Sequence, residues 1–105
     1  MKNYLFTALL FLSSTLLSFK ADNPIRIVFF GDSITQAGIG KTGYITKMTE
    51  MLAAKGLSSQ YELIGAEIGG NKIYDLYLRH EEDVLAKKPN IVVIYIGIND
   101  VWHKT

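Results

Sequence analysis

The sequence predicts an α/β fold, a doubly wound parallel sheet of which three strands and two helices are written in this chain. Three observations lead there. Strand-like and helix-like stretches alternate in the order strand, helix, strand, helix, strand. The strand-like stretches are short apolar runs that stop at glycine or at a polar turn. The third run, Ile91-Val92-Val93-Ile94-Tyr95-Ile96, has no polar alternation, which predicts a strand buried on both faces.

The elements follow in order. Lys2 gives a positive start, and Tyr4 to Leu17 is apolar or small, with the small residue Ser18 after it. This is the layout of a secretory signal peptide over 1–18. The run is shorter than the ~20 residues a spanning helix needs, so cleavage is expected and no membrane anchor afterwards. A linker over 19–24 leads to the first strand, Ile25-Arg26-Ile27-Val28-Phe29-Phe30, which ends at Gly31. A polar, glycine-rich loop is expected up to Gly43. Tyr44 to Lys55 carries Ile45, Met48, Leu52 and Ala53 at helical spacing, and Gly56 stands where a helix C-cap glycine would. Tyr61-Glu62-Leu63-Ile64 reads as the second strand, ending at Gly65. Asn71 is placed to cap a helix from Lys72 to Ala86, with Ile73, Leu76, Tyr77, Val84 and Leu85 as candidate core positions and Pro89 as its stop.

Composition narrows the function. The formal net charge is +1 and the charges are scattered, so no basic face for nucleic acid is expected. The cluster Glu81-Glu82-Asp83 reads as a solvated helix face. Cysteine is absent, so an exported chain of this kind holds together by its core and not by disulfides. No metal-ligand cluster is visible, and no cofactor is expected.

Parallel strands joined by right-handed crossovers end at one edge of the sheet. Three strands leave two doubly wound orders open. In the flavodoxin-like order the first and third strands are neighbours, and ligands bind in the crevice where the chain reverses, outside the carboxyl ends of the strands. Gly31-Asp32-Ser33 follows strand one, Gly69-Gly70 follows strand two, and Gly97-Ile98-Asn99-Asp100 follows strand three. Each cluster alone is an ordinary turn: Asp32 or Ser33 suits a helix cap, and glycines supply positive φ. Their arrival together at one edge is what calls for a functional explanation.

Gly31-Asp32-Ser33-Ile34-Thr35-Gln36 resembles the first block of the SGNH (GDSL) hydrolases. Gly70, within Ile68-Gly69-Gly70-Asn71, looks like the second-block glycine, and Gly97-Ile98-Asn99-Asp100 is similar to the GxND third block. Where this family often has Asn before the second-block glycine, the chain has Ala66-Glu67. The resemblance implies the flavodoxin-like order and a serine ester hydrolase. It implies Ser33 as nucleophile, with an oxyanion hole from the Ser33 and Gly70 backbone N–H groups and the Asn99 side-chain amide. Such a serine needs an adjacent base, and the oxyanion needs donors already in place. Glycine lets a backbone amide approach substrate, and Asn is a donor at any pH. Asp32 and Asp100 are expected to hold their loops by hydrogen bonds.

The family takes its base from a DxxH block near the C-terminus. Asp100-Val101-Trp102-His103 spells DxxH, but it overlaps the third block, so the catalytic His and its Asp are expected beyond Thr105, with His103 the candidate inside the chain. His80 reads as structural. Residues 25–105 are accordingly expected to be the N-terminal part of a hydrolase domain, inactive by itself. The expected substrates are small-molecule or carbohydrate esters, short acyl or O-acetyl, in the periplasm or outside the cell. Trp102 is a candidate for sugar stacking or for core. A lysophospholipase or lipase of the same family is the alternative, and a non-catalytic binding module on the hydrolase fold is the alternative of another class. A dinucleotide-binding domain is suggested by Gly38-Ile39-Gly40-Lys41-Thr42-Gly43 with Glu67 after it, but the first glycine of that fingerprint belongs directly at the end of strand one. A P-loop fails at Thr35, where it needs glycine.

Overall fold

A computed structural model describes residues 23–102. The expected signal segment, the linker up to Asp22, and His103 lie outside the described residues. Three parallel strands, β1 (Ile25–Gly31), β2 (Tyr61–Glu67) and β3 (Ile91–Tyr95), form one sheet in the order β2-β1-β3. This is the flavodoxin-like order. The helices are α1 (Ser33–Gly38), α2 (Tyr44–Ala54), α3 (Ile73–Asp83) and α4 (Ile98–Trp102), with a 3₁₀ turn at Leu85–Lys87.

The two sides of β1 explain the layering. Val28 and Phe30 face α3 and form the core with Ala66, Leu76 and Val84. Phe29 faces the other way, its ring meeting Tyr44 of α2 edge-on at 6.0 Å. Ile45 is buried on that side as well. Each such buried aliphatic or aromatic side chain contributes about 1.5–3 kcal/mol. Of the other expected core positions, Met48, Ala53, Ile73, Tyr77 and Leu85 are exposed and Leu52 is half-buried.

The helix ends are set locally. Gly56 has φ +71 and closes α2: its N–H donates to Ala53 O at 3.0 Å, and Leu57 N–H donates to Leu52 O at 2.8 Å. That pair is the Schellman motif, which needs a residue tolerant of positive φ. The helix expected to run on to Ala86 instead ends at Asp83, and Leu85–Lys87 continues as the 3₁₀ turn up to Lys88 at φ 50. Asn71 is not the cap. Lys72 is, and the carboxylate of Asp75 accepts the Lys72 N–H at 2.7 Å, satisfying a donor that the helix start leaves open.

Three further expectations are corrected. β2 does not stop at Gly65 but runs through it to Glu67. The stretch after Gly31 is not all loop, because Asp32 nucleates α1: its Oδ1 accepts the Ile34 N–H at 2.9 Å, and Thr35 and Gly38 turn inward. Among the described residues β3 is not buried on both faces, since Ile91 to Tyr95 are all exposed. β1 covers one of its edges, no described strand covers the other, and an open apolar groove lined by Phe30, Ile73, Tyr77 and Ile94 separates it from α3.

Candidate active site

The register brings the site together. Gly31 pairs with Glu67 on one side and with Tyr95 on the other. All three strands therefore end level, and their following loops leave the sheet side by side. Gly31 has no room for a side chain: a Cβ there would sit 2.2 Å from Thr35 Oγ1 and 2.5 Å from the Tyr95 carbonyl oxygen. The absence of a side chain lets α1 start directly over the strand end.

Asp32 is fully buried and caps α1, which places Ser33 at the first helical position with its side chain exposed. At that position the backbone N–H has no intrahelical acceptor, so it is available to a ligand. Ser33 Oγ has no hydrogen-bond partner among the described residues.

After β2 the chain turns at Ile68-Gly69-Gly70-Asn71, closed by the Asn71 N–H donating to Ile68 O at 3.3 Å. Gly70 has φ +82, the value a type II turn demands at its third residue. Gly69 flanks the serine: a Cβ on it would lie 3.7 Å from Ser33 Cβ and 3.1 Å from Gln36 Oε1. Gly70 faces open space.

After β3, Gly97 at φ +130 redirects the chain into α4. The Asn99 Nδ2 donates to the Asn71 carbonyl at 3.0 Å, and the Asp100 carboxylate accepts the Ile73 N–H at 3.2 Å. Both bonds join the third loop to the second. Asn99 is half-buried, and Trp102 is 78% exposed at the end of α4. The structure thus gathers Ser33, Gly69, Gly70, Asn71, Asn99 and Asp100 at one edge. His80 belongs elsewhere, on α3 across the sheet from α1, with its ring stacked on Tyr77 and Nδ1 against the Tyr77 carbonyl.

Sequence reasoning missed Arg79 and misread Asn71. The Arg79 guanidinium donates to Asn71 Oδ1 (2.8 Å), Gly31 O (2.9 Å), Ala66 O (3.3 Å) and Asp83 Oδ2 (2.7 Å), and lies 4.7 Å over the Phe30 ring. The available signal was its position: Arg79 follows the core residue Leu76 by three and precedes an acidic residue by four. A long cation on the inward side of a helix needs buried acceptors.

The glycines of Gly38-Ile39-Gly40-Lys41-Thr42-Gly43 serve packing. Gly38 ends α1 beneath the Tyr44 ring, and a Cβ on Gly43 would strike the Gly38 carbonyl. The intervening α1 keeps them away from the end of β1. No group of His, Cys, Asp and Glu that could hold a metal ion occurs among the described residues.

Three comparisons bear on this edge. The GDSL-like lipase/acylhydrolase family model matches residues 29–105. An acetylxylan esterase from Geobacillus stearothermophilus is 38% identical over 96 residues, spanning 81% of this chain and 44% of the relative. Among solved structures, the acetyl xylan esterase AlAXEase is 67% identical with a TM-score of 0.75, over 77% of this chain and 41% of that one. A variant of an acetyl xylan esterase from Geobacillus stearothermophilus is 39% identical with a TM-score of 0.65, over 73% and 40%. The chain spans less than half the length of each of these relatives. With the family match running from the middle of β1 through all three loops of the shared edge, this chain belongs to the GDSL-like lipase/acylhydrolase family.

Proposed function

We propose that the protein is an exported serine esterase that removes acetyl groups from xylan-type carbohydrate. One observation carries the reading. An exposed serine at the start of α1 stands beside a two-glycine turn, and that turn is tied to the amide of Asn99. In this mechanism Ser33 Oγ attacks the ester carbonyl carbon and gives up its proton to a histidine base. The carbonyl oxygen becomes an oxyanion. It is held by the N–H groups of Ser33 and Gly70 and by the second N–H of Asn99, the first being used on Asn71. Collapse expels the alcohol, which takes the proton back from the base. Water then cleaves the acetyl-serine by the same route and releases acetate.

On this reading the base and its acid partner are supplied from outside residues 23–102, where His80 is the one histidine and has its ring stacked on Tyr77. The acetyl-carbohydrate preference is supported by the names of the relatives at 38% and 67% identity and by the exposed indole of Trp102, suited to stack on a sugar ring. Export is supported by the apolar run from Tyr4 to Leu17.

The test is acetate release from acetylated xylan by the full-length gene product, with fluorophosphonate labelling of the same sample. Release and labelling are both expected, and both are lost in Ser33→Ala. Labelling that survives Ser33→Ala overturns the nucleophile. Hydrolysis of long-chain acyl esters faster than of acetylated xylan overturns the substrate class in favour of a lipase.

A further inference from the structure

We propose that Arg79 is a positioning residue for the oxyanion loop: its guanidinium fixes the Gly69–Asn71 turn against the ends of β1 and β2, and through Asn71 it sets the aim of the Asn99 amide. The proposal rests on the esterase reading above.

The alternative is an ordinary helix ion pair. Arg79 and Asp83 are four apart and 2.7 Å from each other, and such a pair is worth about 0.3–0.5 kcal/mol when exposed. That role needs one nitrogen. The remaining donors are directed elsewhere. Nη2 reaches Gly31 O, two residues before Ser33. Nε reaches Asn71 Oδ1, next to Gly70. Nη1 also reaches Ala66 O, near the end of β2. The carbonyl of Asn71 in turn accepts the Asn99 amide. One cation therefore touches the ends of two strands and the loop that carries the oxyanion donors. Its side chain is 14% exposed and its face rests on Phe30, so it is clamped in place.

The arrangement answers two physical needs. A buried cation needs acceptors, and the strand ends supply them: Gly31 O, which already accepts the Ile68 N–H at 3.2 Å, takes Arg79 as a second donor. A two-glycine turn is the most flexible segment the chain can build, so its conformation must be imposed from outside. A planar guanidinium supplies several fixed donors at once. Lysine offers a single nitrogen and meets only part of this set. Displacing a transition-state donor by an ångström costs about a hundredfold in rate.

The experiment uses the full-length gene product with Arg79→Lys, Asn71→Ala and Asp83→Asn. It follows p-nitrophenyl acetate hydrolysis, thermal unfolding, and backbone hydrogen exchange at Gly69, Gly70 and Asn71. Arg79→Lys is expected to lower kcat about a hundredfold while KM stays within about threefold. Asn71→Ala should act in the same direction, and the double variant should be less than additive because both cut one chain of contacts. Asp83→Asn should retain turnover. A kcat for Arg79→Lys within about threefold of the parent, or a loss confined to KM, overturns the proposal. So does a loss in Asp83→Asn as large as that in Arg79→Lys. Should Arg79→Lys fail to fold, Asn71→Ala carries the same test from an irregular loop. An inactive parent overturns the esterase reading itself. Hydrogen exchange then decides the clamp alone: faster exchange at Gly70 and Asn71 in Arg79→Lys supports it, and unchanged exchange overturns it.

Discussion

The Asn99 side-chain nitrogen lies 3.0 Å from the backbone carbonyl oxygen of Asn71, so the loop after β3 is anchored to the loop after β2 by a group that the proposed chemistry also uses. One N–H of that amide orients the side chain, and in the proposed mechanism the other serves the oxyanion. Asn99→Ala removes both. Turnover on p-nitrophenyl acetate is expected to fall about a hundred- to a thousandfold, with KM changed only a few-fold. A change confined to KM would show that Asn99 binds substrate instead of stabilising charge.

Gly31→Ala tests the strand end. The new Cβ would meet Thr35 Oγ1 at 2.2 Å and Tyr95 O at 2.5 Å. The first contact can be relieved by shortening Thr35, but the second is backbone. Overpacking of this kind costs about 1–3 kcal/mol. Urea unfolding should show a loss in that range for Gly31→Ala, and Gly31→Ala with Thr35→Ala should recover only part of it. Full recovery in the double variant would mean that β3 gives way freely.

The outer edge of β3 is the third test. Ile94 is 62% exposed on an apolar strand, and an uncovered edge of this type recruits another strand. Residues 23–105, expressed alone, should self-associate at micromolar to millimolar concentrations in analytical ultracentrifugation. Ile94→Lys should shift them towards monomer. A parent segment that sediments as a monomer would refute this account of the edge.

Much of this architecture could be read before any coordinates. β1 and α2 announce themselves because apolar periodicity and glycine stops act locally, and Gly56 is legible for the same reason; β2 is legible only in its first half, because Gly65 is a paired strand residue and not its stop. The convergence of Ser33, Gly70 and Asn99 was readable once parallel strands were inferred, since parallel strands end level. α1 escaped notice because its helix is short and begins with a capping interaction from Asp32, which looks the same in sequence as a turn. The exposure of β3 is not legible from its own residues, because an apolar run states what a strand can be packed against, not what lies over it among the described residues. Arg79 was invisible for a deeper reason: its acceptors at Gly31, Ala66 and Asn71 are far apart in the chain and include backbone carbonyls, which leave no mark in a sequence.

The central place of β1 also orders events in time. It leaves the ribosome ahead of both strands that flank it. β2 and α2 follow, so the half that presents Ser33 is complete while β3 is still being made. Asn99 arrives after both, on the far side of β1. In the proposed mechanism a nascent chain therefore carries its nucleophile early and its full set of oxyanion donors later, and it remains chemically silent until the base has been made as well.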